Sequence, residues 1–193
     1  MLSTDRGGDD HEACSTVGHR EKWVGDVPTE DEILGVSEEL FSAWNEHDST
    51  RIMACMTDDV VWRIPEKTVH GKSAAEADVR ETFTTFPDLA FSRDAFEVFS
   101  NAQASALVTS WRATGTMSGS AATLPATGRS ARIDGTTLAR FRGAHICEYH
   151  LYYDQLDFMQ QIGLLPATDS VAFKAFVLGD VMVGKARAAV RRH

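Results

Sequence analysis

The chain has 193 residues, of which 43% are hydrophobic and 24% are charged, a balance typical of one globular domain with a full apolar core. Its net charge of −9 argues against nucleic acid as a partner, because phosphate binding needs a basic surface. No run approaches the roughly 18 apolar residues of a membrane span, and the first residues lack the basic and apolar regions of a signal peptide, so we expect a cytoplasmic protein without membrane contact.

Residues 1–28 are predicted to form a disordered acidic tail. The first 32 positions hold nine acidic and only three basic residues, with hardly any apolar periodicity. Such a segment cannot offset its ordering entropy by burial. His11, Cys14 and His19 lie there without the paired spacing of a zinc site, and the three cysteines of the chain are widely spaced. We therefore predict no metal site and no disulfide framework.

The folded domain is predicted to span residues 29–166 and to begin with helices. Thr29 followed by Glu32 is a capping box, and apolar residues at helical spacing continue from Ile33 to Trp44. Three further elements are predicted in this half: a helix over 49–56, a strand over 59–64 and an Ala-rich helix over 73–86. The strand and the second of these helices each end at a proline.

From residue 89 the apolar period changes to two, which is typical of β-strands. The predicted strands cover 89–99, 104–116, 129–141 and 145–153. Helices first and an antiparallel sheet afterwards indicate an α+β fold, in which a curved sheet wraps over three N-terminal helices and encloses a cone-shaped pocket. A further helix is predicted over 155–162, and residues 167–193 are predicted to form a C-terminal helical extension.

An acidic residue, Asp154, ends the last predicted strand. It follows an apolar and aromatic run, where a carboxylate is placed poorly for water and well for chemistry. Apolar walls raise the pKa of a carboxylic acid, and this is the usual way in which an aspartate becomes a general acid/base near neutral pH. The alternative is that Asp154 only N-caps the helix that follows.

Strand alternation groups His150 and Tyr152 with Asp154 on one face, provided that no bulge intervenes. His150 would then orient Asp154 or relay its proton; the alternative is a histidine that is hydrogen-bonded on a half-buried sheet. Arg140 on the adjacent strand is a candidate for binding an anionic substrate group, and a solvent-facing arginine is the alternative.

Aromatic side chains are the candidate walls of the pocket. They would bind a flat aromatic substrate, and the alternative for the tryptophans is that they belong to the core. The candidates are Trp44, Trp62, Trp111, Tyr152 and Phe158.

Short motifs in a characteristic order give the chain a family resemblance. From about residue 34 to residue 166 it resembles the SnoaL-like polyketide cyclases, within the nuclear transport factor 2 fold superfamily. The motifs are Ala43-Trp44-Asn45 with His47-Asp48, Thr57 to Trp62, His70-Gly71, Phe86 to Leu89, Gly115-Thr116, Pro125 with Gly128-Arg129, and Asp154 with Gln160 to Gly163.

The resemblance implies a cone-shaped α+β barrel, often a homodimer through its sheet, that needs no cofactor and binds a polyketide-like or other apolar small molecule. It matches Asp154 to the family's acid/base, which removes a proton beside a carbonyl so that the enolate closes a ring in secondary metabolism. It also places His70 beside the pocket, with a loop cap as the alternative. A non-catalytic binding domain, an epoxide hydrolase and a cyclic-ether-forming enzyme stay open as alternatives on this fold.

Overall fold

The computed structural model describes residues 27–120, 125–175 and 178. Nearly all of the tail predicted over 1–28 lies outside the described residues, and so does most of the extension predicted over 167–193. Within that extension, residues 171–175 and 178 are helical. No helix in the described ranges is long and apolar enough to cross a bilayer.

Three helices pack on one side of the sheet. They are α1 (Glu30–Asn45), α2 (Ser49–Ala54) and α3 (Lys72–Thr85). The predicted capping box is confirmed, since Thr29 Oγ1 accepts from the Glu32 backbone N–H while the Glu32 carboxylate accepts from the Thr29 N–H. Only α1 and α2 precede the first strand, because α3 follows the first two strands.

A seven-stranded sheet forms the other layer, in the spatial order β2-β1-β7-β6-β5-β3, with β4 also paired to β5. β1 and β7 are parallel, and the other strand pairs of the described chain are antiparallel. The predicted α+β fold class is therefore confirmed. The strands are β1 (Met56–Ile64), β2 (Lys67–His70), β3 (Ala90–Phe91), β4 (Glu97–Asn101), β5 (Ala106–Thr116), β6 (Ser130–Arg142) and β7 (His145–Tyr153).

Two segments differ from the prediction. The strand predicted over 89–99 is wrong as one element: Arg93–Ala95 form a 3₁₀ turn that separates β3 from β4. The short strand β2 was not predicted; it forms because the chain doubles back after Pro65, so that Val69 pairs with Trp62. Strands of two to five residues are too short for their apolar period to be distinguished.

The inner face of the sheet buries its side chains against the helices. The main core cluster joins α1, α2 and α3 to this face, with Ile33, Trp62 and Tyr149 among its buried members. A short helix, α4 (Gln155–Gln161), follows β7, and Ile162 just beyond it packs in a second, smaller cluster. Members of both clusters line the cavity described below.

Candidate functional site

A cavity of about 470 Å³ lies between the helices and the inner face of the sheet. Its walls are mostly apolar and aromatic, and the rings of Trp62 and Tyr149 are nearly parallel, with centroids 4.4 Å apart. A cavity of this size and lining is typical of a small-molecule site. Tryptophan and phenylalanine side chains that line it are Phe41, Trp44, Trp62, Phe86, Phe91, Phe96, Trp111 and Phe158.

One carboxylate, Asp78 of α3, is buried in the cavity wall and is only 8% exposed. Its Oδ2 accepts a hydrogen bond from Trp62 Nε1 at 2.9 Å, and its Oδ1 lies 2.6 Å from Lys67 Nζ. The two partners come from β1 and β2, so the β1–β2 hairpin holds this carboxylate. A carboxylate has about four acceptor positions, and Asp78 can therefore accept a further proton or hydrogen bond.

Lys67 is the positive partner in this part of the wall. Its hydrogen bond to Asp78 raises the pKa of the Lys67 ammonium, and the charges of Glu81 and Glu66 act in the same direction. Glu66 and Glu81 also line the cavity. When ionised, these three carboxylates outnumber the one ammonium group, and this part of the cavity then carries net negative charge.

Tyr153 is a phenol in the same wall that is already hydrogen-bonded. Its hydroxyl donates to Glu66 Oε1 at 2.8 Å, and Gln155 Nε2 donates to the same oxygen at 3.2 Å. Burial raises the pKa of Tyr153, and the Glu66 charge raises it further. The phenol therefore stays neutral, and the Glu66 contact joins the β1–β2 turn to the start of α4.

A second polar group in the wall, here called the Tyr149 cluster, consists of Trp44, Trp111, Thr137 and Tyr149. Trp111 Nε1 donates to Thr137 Oγ1 at 2.9 Å. Burial raises the pKa of Tyr149 to about 12, although the nearby Thr137 hydroxyl and Trp44 indole N–H act to lower it. Tyr149 is therefore a neutral hydrogen-bonding group at physiological pH.

Four of the predicted site residues line this cavity: Trp44, Trp62, Trp111 and Phe158. Trp44 and Trp62 also belong to the core, with ring centroids 6.4 Å apart. The core and substrate-wall interpretations of these tryptophans are therefore compatible, since the same rings form the core on one side and the cavity wall on the other.

The predicted residues His150, Tyr152 and Arg140 are not among those that line the cavity. Alternation groups His150 with Tyr152 as predicted, but their neighbours Tyr149 and Tyr153 are the ones that line the cavity. The placement follows from pairing, because Tyr149 lies opposite Trp62 of β1 on the inner face. His150 and Tyr152 therefore lie on the outer face.

On the outer face, Glu148 lies between two of these side chains. Its carboxylate is 3.8 Å from His150 Nε2 and 3.7 Å from Arg140 Nε. His150 is buried, and this burial, together with the charge of Arg63, lowers its pKa, while Glu148 opposes the effect. Arg140 therefore has an ion-pair partner on the sheet surface.

Asp154 is the N-cap of α4 and is exposed. Its Oδ1 accepts from the Asp157 backbone N–H at 3.0 Å, which is the capping contact considered as the alternative to catalysis. Neither Asp154 nor His70, an exposed residue at the end of β2, lines the cavity. Catalysis by Asp154 with His150 stays a prediction, and Asp78 becomes a second candidate for the same chemistry.

Asp78 is absent from the residues predicted above, although the sequence contains a signal for it. Asp78 lies between Ala75 and Val79 on the buried face of α3. An acidic residue on the apolar face of an amphipathic helix is uncommon and indicates either a buried partner or a functional group. The spacing of these three residues within the predicted helix indicates that Asp78 faces inward, but it does not identify the partners of the carboxylate.

Metal ligands are not grouped in the part of the chain that the structure describes: no set of three or more His, Cys, Asp or Glu side chains there could hold a metal ion. Cys55 and Cys147 are buried thiols that form no disulfide within the described residues. Burial raises the pKa of Cys55 to about 11, so its thiol is protonated near neutral pH and is a poor metal ligand or nucleophile.

Comparisons with known proteins identify a family from the sequence and a shared fold from solved structures. A family model described as a SnoaL-like domain matches residues 37–149. AclR from Streptomyces galilaeus, provisionally named a hydroxylase, is 18% identical with a TM-score of 0.62, over 86% of this chain and 99% of that one. A provisionally named SnoaL-like polyketide cyclase from Jannaschia sp. CCS1 is 22% identical with a TM-score of 0.63, over 73% and 98%.

A provisionally named isomerase from Bacillus subtilis is 17% identical to the chain, with a TM-score of 0.58, over 69% of this chain and 94% of that one. At such identities, the likeness to these three structures concerns the fold alone. A comparison with curated protein sequences finds no match. The function therefore has to be argued from the cavity.

Proposed function

This chain belongs to the SnoaL-like domain family, as its motifs predicted, and from that membership we propose that it is a cofactor-independent cyclase or isomerase of secondary metabolism. Its substrate is a polyketide-like carbonyl compound that is apolar and flat, and the barrel cavity is the site of reaction. The observation that carries this function is the buried carboxylate of Asp78, in the wall of a cavity lined with aromatic rings.

Asp78 acts as the general base in this mechanism. It removes a proton from a carbon beside the substrate carbonyl, and the electron pair of the broken C–H bond forms an enolate. The enolate carbon then attacks a second carbonyl carbon of the same molecule, and the oxygen of that carbonyl takes the proton from the Asp78 carboxylic acid to become a hydroxyl. In an isomerisation, the Asp78 carboxylic acid instead returns the proton to another carbon of the enolate. Neither course consumes an oxidant or a cofactor, because the same proton leaves and returns.

The neighbours of Asp78 hold it in place for this work. Trp62 Nε1 and Lys67 Nζ fix its two oxygens from β1 and β2, so the carboxylate does not need to reorganise when a substrate binds. The raised pKa of Lys67 keeps its ammonium charged beside Asp78 throughout. The apolar walls exclude water, which would otherwise compete for the enolate.

Deuterium exchange at C2 of 1-tetralone, measured by mass spectrometry in D₂O, tests proton abstraction without requiring the natural substrate. Asp78→Asn and Asp154→Asn are a matched pair, because each removes one charge and keeps the side-chain shape. We expect Asp78→Asn to lower the exchange rate at least about 100-fold, which is typical for loss of a general base. Asp154→Asn, which retains an N-cap residue, is expected to stay within about twofold of the wild type.

The reverse result, with exchange lost in Asp154→Asn and kept in Asp78→Asn, would assign the base to Asp154 as first predicted from the sequence. Catalysis by Asp154 would require α4 to bring its carboxylate into the cavity. Equal rates for the wild type and both variants, no faster than buffer alone, would contradict the enzymatic function.

A non-catalytic small-molecule-binding domain is the second candidate function, and one observation favours it. Both oxygens of Asp78 already have partners, which is also the arrangement of a purely structural ion pair. A wild-type protein that binds 1-tetralone without exchanging its hydrogens, at any pH between 5 and 9, would support this function.

We also propose that two copies of the chain associate through the outer face of the sheet. Phe99 is 59% exposed there, and the strand register places it beside Val108, which in turn lies beside Leu138. Tyr152, 52% exposed, lies on the same face. Sedimentation equilibrium is expected to give a dimer that Phe99→Glu weakens at least about tenfold, and a wild-type monomer at high micromolar concentration would contradict it.

A further inference from the structure

At least one hydroxyl hydrogen of the Tyr149 cluster has no acceptor within the cluster. We propose that it is a binding subsite for a neutral carbonyl oxygen on a flat, aromatic ligand, with the Tyr149 hydroxyl as the donor. This subsite deepens the proposed function, since a ketone is the group that Asp78 would enolise. Ligand binding to it can nevertheless be tested without turnover.

The hydrogens of the cluster can be counted. The two indole N–H groups are donors only, and Trp111 Nε1 uses Thr137 Oγ1 as its acceptor at 2.9 Å. Trp44 Nε1 lies beside the Tyr149 oxygen without a hydrogen bond of normal geometry. Two neighbouring hydroxyls cannot donate to each other at the same time. One hydroxyl hydrogen of the Thr137–Tyr149 pair is therefore left without an acceptor inside the cluster.

Burial makes this spare hydrogen significant. All four residues of the Tyr149 cluster are more than nine-tenths buried. Within the described ranges of the chain, these four side chains have no hydrogen-bond partner of normal geometry outside the cluster, and the Thr137 hydroxyl and the Trp44 N–H lie close to the Tyr149 oxygen. Buried polar groups nearly always have a partner, and all four residues line the cavity. The missing acceptor is therefore expected to come from a molecule in the cavity.

Tyr149 is the donor because of its chemistry and its fixed position. A phenol is more acidic than the aliphatic hydroxyl of Thr137 and is the stronger hydrogen-bond donor. A chain of donations from Trp111 to Thr137, from Thr137 to Tyr149 and from Tyr149 to the ligand uses each hydroxyl hydrogen, and each bond polarises the next. The ring of Trp62, tilted by only 11° from the Tyr149 ring, holds the phenol in place.

The cavity walls specify the rest of the ligand. A carbonyl oxygen accepts and does not donate, which matches a spare donor. A carboxylate would meet the negative charge of Glu66, Asp78 and Glu81, which line the same cavity. The many aromatic rings favour a flat partner. A neutral aryl ketone or quinone satisfies all three conditions.

9-Fluorenone and fluorene are matched probes, since they differ by a carbonyl in place of a methylene. Their dissociation constants are measured by quenching of tryptophan fluorescence for the wild type and for two variants, Tyr149→Phe and Tyr153→Phe. Each variant removes one phenolic hydroxyl from β7 on the cavity side. Tyr153 is the control, because its hydroxyl already donates to Glu66.

We expect the preference for fluorenone over fluorene to fall about threefold to tenfold in Tyr149→Phe, the effect of losing one hydrogen bond. It is expected to stay within about 1.5-fold of the wild type in Tyr153→Phe. The C=O stretching frequency of bound fluorenone should be lower in the wild type than in Tyr149→Phe. A purely structural role of Tyr149 would not shift this frequency.

Three outcomes would overturn the subsite: no binding of either probe, an unchanged preference in Tyr149→Phe, or an equal loss of preference in Tyr153→Phe. If Tyr149→Phe does not fold, the wild type alone still tests the subsite. A C=O frequency of bound fluorenone equal to that of fluorenone in hexane would show that no hydrogen bond is donated to it. A lowered C=O frequency of bound fluorenone, in a protein that does not exchange the C2 hydrogens of 1-tetralone, would support the subsite. It would contradict only the enzymatic function.

Discussion

Gly135 of β6 lies directly against the indole ring of Trp111 on β5, its partner in the strand register. A Cβ at position 135 would overlap Cη2 and Cζ2 of that ring and would lie 2.8 Å from Cζ3. Gly135→Ala therefore forces the indole to turn. Turning it breaks the hydrogen bond from Trp111 to Thr137, which costs about 1 kcal/mol.

Repacking a crowded interior costs a further ~1–3 kcal/mol, while the smaller backbone entropy of alanine offsets about 0.5–1 kcal/mol. We therefore expect Gly135→Ala to lower the free energy of unfolding by about 1–3.5 kcal/mol. Urea titration followed by far-UV circular dichroism measures this loss, with an unchanged m-value. Gly35→Ala is the matched control: this exposed glycine of α1 has open space around it, and alanine there should stabilise by about 0.5–1 kcal/mol.

A double variant decides whether the indole is the cause. In a Trp111→Leu background the ring is gone, and Gly135→Ala should then cost less than about 1 kcal/mol. The same cost in both backgrounds would refute the steric explanation. A loss below about 1 kcal/mol in the wild-type background would show that the ring moves freely at this position.

Three further predictions concern single side chains. Asp154→Ala should destabilise the fold by about 1 kcal/mol and Asp154→Asn hardly at all, as measured by urea titration. Equal losses in the two variants would contradict the role of Asp154 as an N-cap. Because burial and the charge of Arg63 lower the pKa of His150, the unfolded state takes up this proton more readily, so stability should fall as the pH drops below about 6.5. His150→Gln should have a shallower decline in urea midpoint between pH 7.5 and 5, and an unchanged decline would contradict this. The Cys55 thiol, with a pKa of about 11, should resist iodoacetamide at pH 8 in the native protein and react after unfolding. Peptide mass spectrometry measures the labelling. Rapid labelling of the native protein would contradict the burial of this thiol.

Local signals predicted the helices well. The capping box of Thr29 and Glu32 and the proline after α3 act within a few residues, so the sequence alone determines where these helices begin or end. The alternation along β7 was also predictable, and it grouped His150 with Tyr152 as found. Which of the two faces lines the cavity was not predictable, because that depends on the pairing of β7 with β1, about 90 residues earlier.

The cavity's polar groups depend on similar long-range contacts. Asp78 becomes a buried carboxylate only when α3 packs against Trp62 and Lys67. The hydrogen bond from Trp111 to Thr137 joins two strands across 26 residues. No local pattern contains either contact, whereas Asp154, at the end of a strand, satisfies a local rule. The sequence therefore drew attention to the helix cap and not to the acid in the cavity wall.

The parallel pairing of β1 with β7 has a consequence for synthesis of the protein in the cell. Met56 finds its partner Ile146 only after about 90 further residues have been made, and at ~5–20 residues per second this takes about 5–18 s. During that interval the edge of β1 that later pairs with β7 has no neighbouring strand, because the short β2 pairs with the opposite edge. The buried residues Val60, Val61 and Trp62 lie along this strand. A nascent chain with such an edge is a ready substrate for aggregation or for chaperones that bind apolar strands. Ribosome-associated chaperones should therefore occupy this segment until β7 emerges.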